Sequence, residues 1–483
     1  GGSATCSRLI IADGLNSTGA VTLSSGTITL TGSNGLYLAF GGGDVSGTSV
    51  ATFNLDGGTL KTGAIGEFTA GVNSTFNFNG GILQANTNNA GFMTGLNTAN
   101  VLGGGAILDT ACYAIVAVSQ SLLHGGAGTD GGLTKNGAGM LTFDSGCVNS
   151  YNGATIVNGG TLRLDKSSSL YGPLTVNSNA TFTLTDYLDN YIQPSQVDLT
   201  GGTINGFLAG AAHYYGIYTT NLNVHGSGLI STIGGSYKPP VWMNAPGDGN
   251  PHTLTITVDS GATGAIDSKI GVHPDGVGSG SLVKTGSGTL ALTGANTYGS
   301  GTTITAGKLL ANNTSGSGTG TGAVSVNAGG TLGGTGTVAG AVSVASGGTL
   351  APGGDAAPGN LTLSSDLTFS AGSVCAIRTP SAVAGQYDMV TTGGAANLGN
   401  TSLSMNSAGL GDPPFDTIVW LINKTSTGAV SGTFNGLPEG TVVVMQTRTW
   451  MITYSADYPS GSCVGGNDVA LVRINLPTVY LFQ

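Results

Sequence analysis

The chain has 483 residues, 87 of them glycine, and 39% of it is hydrophobic; collagen needs glycine at every third place and a disordered chain lacks apolar residues, so neither applies. Only 7% is charged, and 23 acidic against 13 basic residues leave a net charge of −10, which excludes a nucleic-acid binder because phosphates demand clustered Lys and Arg. Mean hydropathy is +0.21, yet apolar runs such as ACYAIVAV at 111–118 fall short of the ~18 residues of a membrane-spanning helix, so no transmembrane segment is expected.

The chain opens GGSATCSR, without the charged start and apolar core of a signal peptide, so the given sequence is expected to be the processed form of an exported protein. From there to about residue 130, short alternations of apolar and polar residues are punctuated by glycine pairs, as in DGGTL at 56–60 and NGGIL at 79–83. These predict brief strands joined by corners, where glycine reaches positive φ without a Cβ clash. Region 1–130 is therefore expected to be a first set of β-solenoid coils.

Region 131–358 is expected to be solenoid with two long repeat units, at about 131–180 and 281–358, and a loop-rich insert between them. The first carries GLTKNGAGMLTFDSG at 132–146 and the second SLVKTGSGTLALTG at 281–294. Lys135 and Lys284 are 149 residues apart and Leu162 and Leu309 only 147, because GMLTFDSGCVN is two residues longer than GTLALTGAN. Cys147 lies in that addition. The shortest period is 18 residues, where 323–326 recurs as 341–344, and it suits a coil whose strands lie beside those of the next. Val324 then stacks on Val342, Val326 on Val344 and Leu332 on Leu350. Coils of about 18–25 residues predict roughly 20–25 turns, ~100 Å of elongated rod and almost no helix. Region 359–483, with runs such as DTIVWLIN and WMITYSA, reads as wider coils or a β-rich cap and an apolar tail, with a boundary near Pro358.

The candidates for chemistry are few. Asp248, His252, Asp259, Asp267, Lys269, His273 and Asp275 form the densest ionisable stretch and Asp186 and Asp189 a second, but GDGNPH and HPDG are turn sequences in which Asp and Pro serve the backbone. No catalytic role is assigned. GGGDVSG and GTDGG do not recur in tandem as calcium-binding turns must, so no metal or cofactor is expected. The aromatic patch of His213, Tyr214 and Tyr215 with Trp242 is a candidate sugar platform or a loop covering itself. Five cysteines and no CxxC leave two candidate pairs: Cys6 with Cys463 between subunits, and Cys112 with Cys147 within the rod if a loop brings them within reach. The tail residues Val479, Tyr480, Leu481 and Phe482 are strongly strand-forming and would add a strand to a neighbouring copy or fold back on the chain's own cap.

TKNGAGMLTF with SYNGATIVNGGTLRL, and VKTGSGTLALTGANTYGSGTTITAGKLL, resemble the autotransporter-associated β-strand repeat of large secreted bacterial β-helix proteins. The phrases TFNLDGGTLKTG and TFNFNGGILQA near the start and SGTFNGLPEGTVV with GGNDVALVRI near the end are similar to the same family. The resemblance implies secretion, a location outside the cell or on its surface, and a β-helix, and it brings no catalytic residues. It also implies a C-terminal outer-membrane barrel, for which no room remains after Ile474; the expectation is that the barrel has been removed or export follows another route.

Fold and ends together predict an all-β, elongated parallel β-solenoid with a C-terminal β-rich cap. Its expected function is structural, as a subunit of a secreted filament or surface layer whose partner is itself, joined head to tail. The alternative is a monomeric adhesin passenger binding glycans or matrix, with extracellular polysaccharide as partner, and a third reading is a polysaccharide lyase or hydrolase.

Overall fold

Strands of three to six residues, apolar on one face and broken by glycine, cannot bury that face alone and must stack on their counterparts one coil away. A computed structural model describes residues 1–14, 16–33, 35–40, 49–67, 73–114, 116–165, 170–186, 191–208, 216–227, 230–235, 238–244, 248–274 and 279–475. The chain is all-β: no helix occurs among the described residues, and their coils form a parallel β-solenoid. It divides into two compact units, Gly1–Ala245 and Pro246–Gln483, and the division falls inside the loop-rich stretch expected between the repeat units.

In the first unit ten strands stack in one parallel sheet, from Ser3–Cys6 and Thr27–Leu30 to Val197–Leu199 and Asn221–Val224. Their inward residues form a column in which Leu83, Leu108, Lys135, Val157, Val176 and Leu199 follow one another in register. A second sheet carries Leu141, Leu162, Phe182 and Ile204 in the same way. On a third side Phe53 stacks on Phe76, ring centroids 5.3 Å apart. Each such buried side chain contributes ~1.5–3 kcal/mol. Outward on the third side, Asn77 Nδ2 donates to Asn54 Oδ1 at 2.8 Å and Asn100 Nδ2 to Asn77 Oδ1 at 2.9 Å, a ladder that holds register from the wet face.

In the second unit seven strands stack, from Thr253–Val258 through Ser281–Thr285 and Thr302–Ile304 to Ala396–Asn397. The 18-residue period is one coil: Val324 pairs with Val342, Val326 with Val344 and Leu332 with Leu350. Leu290, Leu309, Leu332 and Leu350 make an unbroken inward column. Coils are fewer than the roughly 20–25 expected, because corner loops stretch the repeat from 18 residues between Val324 and Val342 to 32 between Thr27 and Thr59.

Coils run on past Pro358. Asn360–Leu363, Leu367–Phe369 and Val374–Arg378 all pair in parallel with the coil before them. Among the described strands the pairing turns antiparallel at Ile418–Lys424, which meets Asp468–Arg473, followed by Arg448–Ala456 and Val442–Met445. This cap buries Trp450 completely and sets Trp420 edge-on to Tyr458. The tail residues Val479, Tyr480, Leu481 and Phe482 lie outside the described residues.

Candidate functional site

Periodicity assigns an apolar residue to every inward position, and the two repeat units break that rule at the same place. Lys135 and Lys284 point into the column, wholly buried. Each ammonium donates to three backbone carbonyls: Lys135 Nζ to Asn136 O at 3.0 Å and to Gly137 O and Gly159 O at 2.8 Å, Lys284 Nζ to Thr285 O at 2.8 Å, Gly286 O at 2.7 Å and Ala306 O at 3.1 Å. The glycine of the local Lys-x-Gly makes this geometry. Gly137 and Gly286 sit at φ +84° and +71°, which turns their carbonyls inward, and a Cβ on Gly286 would lie 2.2 Å from Val258 O. Lys424 repeats the device in the cap, donating to Ser426 O, Thr427 O and Gly428 O at 2.8–2.9 Å.

One coil later a buried threonine stands in the inward column and a tyrosine satisfies it. Tyr151 Oη lies 2.8 Å from Thr155 Oγ1, and Tyr298 Oη 2.7 Å from Thr302 Oγ1. Two residues ahead of each tyrosine, Asn149 Oδ1 accepts from Leu122 N and Asn296 Oδ1 from Ile270 N, both at 2.8 Å. The repeat is thus a polar brace built into an apolar coil.

Burial lowers both lysines to about 8 from 10.5, Asp109 opposing it at Lys135. Between those values the unfolded chain binds more protons than the native one, so stability rises with pH through that window and the gain is absent below it. Cys147 at about 11, Cys375 at about 12 and Tyr151 at about 12 are raised by burial and keep protons the unfolded chain loses, so their contribution declines above pH ~9. Urea midpoints should be level up to about pH 8, climb from there to about pH 9, and then level off and fall as the cysteine and tyrosine contributions decline. A doubly substituted K135M/K284M chain should lose the climb, and an unchanged climb in that variant would remove the lysines as its cause.

The structure redistributes the residues singled out from sequence. His213, Tyr214 and Tyr215 lie outside the described residues. Trp242 does not form an exposed platform: its strand Val241–Trp242 pairs with Gly216–Tyr218, its side chain is buried, and Gly216 passes so close that a Cβ there would lie 2.6 Å from Trp242 Nε1. Asp248 closes its own turn, accepting from Asn250 N at 2.9 Å and lying 2.7 Å from His252 Nε2; the Asn250 N–H first, then His252, lowers its carboxyl below the ordinary range. Asp275 and Asp189 lie outside the described residues. Asp130, in GTDGG, has the wrong neighbours for a cation: Oδ1 accepts from Gly132 N and Gly153 N, and Oδ2 from Asn152 N, with His124 Nδ1 at 2.8 Å. No group of three or more metal-ligating side chains occurs among the described residues.

The Cys112–Cys147 pairing is not made. Cys112 is exposed in a turn, whereas Cys147 is buried with Sγ donating to Val118 O at 3.1 Å; Cys6, Cys375 and Cys463 are also free thiols. A maleimide should label Cys6 and Cys112 in the native chain, and Cys147 and Cys375 only after unfolding. A disulfide-linked peptide joining Cys112 and Cys147 in the mass spectrum would contradict this arrangement.

The built cleft in the second unit was not legible in sequence. Loop 353–359 folds over the outer face of the coil and is tied down on both sides. Lys308 Nζ pairs with Asp355 Oδ1. Arg378 Nη2 donates to Ala357 O at 2.8 Å and to Asp388 Oδ1 at 3.0 Å, and Arg378 Nε donates to Asp388 Oδ2 at 2.8 Å. Asp388, only 2% exposed, also accepts from Gly359 N and Arg378 N, each at 3.0 Å. Ala351, Ala376 and Ser404 follow the inward Leu350, Cys375 and Leu403 on adjacent rungs and floor a space of about 320 Å³. A glycine is required at 353, where φ is +84° and a Cβ would lie 2.2 Å from Asp388 Oδ1.

Comparison with known proteins places the braced coils. Residues 133–164 and 282–311 match the family model described as passenger-associated-transport-repeat. The adhesin BmaC autotransporter of Brucella suis biovar 1 (strain 1330) is 33% identical over 160 residues, which cover 30% of this chain and 4% of that protein. The matched repeats each hold one buried lysine, its Lys-x-Gly corner and the inward threonine.

Proposed function

We propose that this autotransporter passenger-like repeat protein is an adhesive module, secreted or held at a bacterial surface, that acts by binding and not by catalysis. The carrying observation is the match of its two lysine-braced coils to the passenger repeat, and its similarity to an adhesin supports the same reading. The polar core groups support it too. Lysine, asparagine, tyrosine and threonine in the repeats are engaged by backbone and by one another, so they stiffen a scaffold and leave recognition to its outer faces and loops. Saturable retention of the purified full chain on immobilised polysaccharides or matrix proteins is the expected result. A folded chain that binds none of them would refute the adhesive reading.

A second reading, head-to-tail self-assembly into a filament, is favoured by one strand: Val442–Met445 carries Val442 and Val444 exposed at 42% and 68% on the outer strand of the cap sheet. Such a strand invites pairing with another chain. Negative-stain microscopy of the full chain decides it: fibres support assembly, and single particles at high concentration reject it.

A further inference from the structure

We propose that the cleft beside Arg378 binds one neutral pyranose residue of a glycan, its apolar ring face on Ala351 and Ala376 and its hydroxyls on Lys308, Asp355, Ser404 and Asn406. The inference deepens the adhesive reading and rests on it for the source of the sugar.

Size comes first. About 320 Å³ lies at the lower end of the ~300–1,000 Å³ typical of small-molecule sites, enough for a single ring. Shape comes next. The floor is a stretch of flat sheet bearing two methyl groups and one hydroxyl, and the polar groups stand around it. A flat ring with an apolar face and polar edges fits that layout, whereas a wholly polar ligand would leave Ala351 and Ala376 against water-seeking atoms.

Charge then selects among ring ligands. Lys308 is paired with Asp355, and Arg378 with Asp388, so the two pairs cancel and the site offers no net attraction to an anion or a cation. Both oxygens of Asp388 already accept two N–H groups each, which makes it a positioning residue that fixes the Arg378 guanidinium. Remaining capacity faces the cleft: two ammonium protons of Lys308, Oδ2 of Asp355, the Ser404 hydroxyl and the amide of Asn406, whose Oδ1 accepts from Ala408 N at 3.2 Å. This is a mixed set of donors and acceptors. Hydroxyls, which donate and accept at once, satisfy both kinds, while a carboxylate can only accept.

The test uses the full chain and saturation-transfer NMR with methyl glycosides of glucose, galactose, mannose and N-acetylglucosamine, and sodium glucuronate as the anionic probe. At least one neutral glycoside should bind. Ala376→Leu, which fills the floor from the outward face, should weaken it at least about tenfold. Asn406→Ala should weaken it about fivefold, the worth of one hydrogen bond. Thr331→Ala, outward on the same sheet but outside the cleft, should change nothing, and circular dichroism should match in all four chains. Absence of neutral binding, preference for glucuronate, or indifference to A376L would overturn the proposal. Should the chain still adhere to glycans when A376L has no effect, the cleft assignment fails and the adhesive reading stands; should the folded chain adhere to nothing, that reading itself fails.

Discussion

Lys284→Met should destabilise the second unit by about 2–4 kcal/mol, measured as the shift of its urea unfolding transition at pH 7. Three buried carbonyls, those of Thr285, Gly286 and Ala306, lose their common donor, and each costs ~1–3 kcal/mol once unsatisfied. Against this, removing an ammonium that burial holds at about 8 returns its desolvation cost, and the methionine gains apolar burial of ~1–2 kcal/mol. The carbonyl loss is the larger side. Lys284→Arg should not rescue, because a planar fork cannot present three donors to oxygens gathered around one point. A methionine variant as stable as the wild type would mean that the carbonyls find other partners and that the brace does not organise the coil.

Asp130→Ala should cost the first unit about 3 kcal/mol or more, because the N–H groups of Gly132, Gly153 and Asn152 all point at this one carboxylate and water cannot replace it in a buried corner. Asp130→Asn keeps one acceptor oxygen and turns an NH₂ toward a donor, so it should lose roughly half as much. Burial by itself would raise this carboxyl; His124 and the three N–H groups outweigh it and hold it below the ordinary range. A carboxyl so lowered contributes its stability above pH ~4 and loses it as the pH falls. Wild type should therefore lose its advantage over D130A in acid, and a difference that persists there would assign the effect to packing.

Much of the coil was readable because its rules are repetitive. The stacking of Val324 on Val342 and of Leu332 on Leu350 follows directly from an 18-residue period and is what the register shows. Coil number was not readable, since loops of any length can be inserted at a corner without disturbing the strands beside it, as between Thr27 and Thr59. Lys284 was visible only as a lone charge. That it points inward follows from alternation with Leu282, and the Lys-x-Gly spacing shared with Lys135 is the signal that could have found the cage. At Trp242 the sequence left an exposed sugar platform and a loop covering itself both open, because nothing in the Pro-Pro-Val-Trp run shows that two of its residues join a parallel strand that buries the indole. The cleft was beyond sequence altogether, because Lys308, Asp355, Arg378 and Asn406 come from four different rungs and loops.

Beads coated with the full chain and driven by flow over surfaces bearing extracellular polysaccharide or matrix protein measure adhesion itself. Retention that saturates, and that disappears when the chain is unfolded in urea before the assay, is the predicted outcome. Folded chain that lets every bead pass on every surface would contradict an adhesive role.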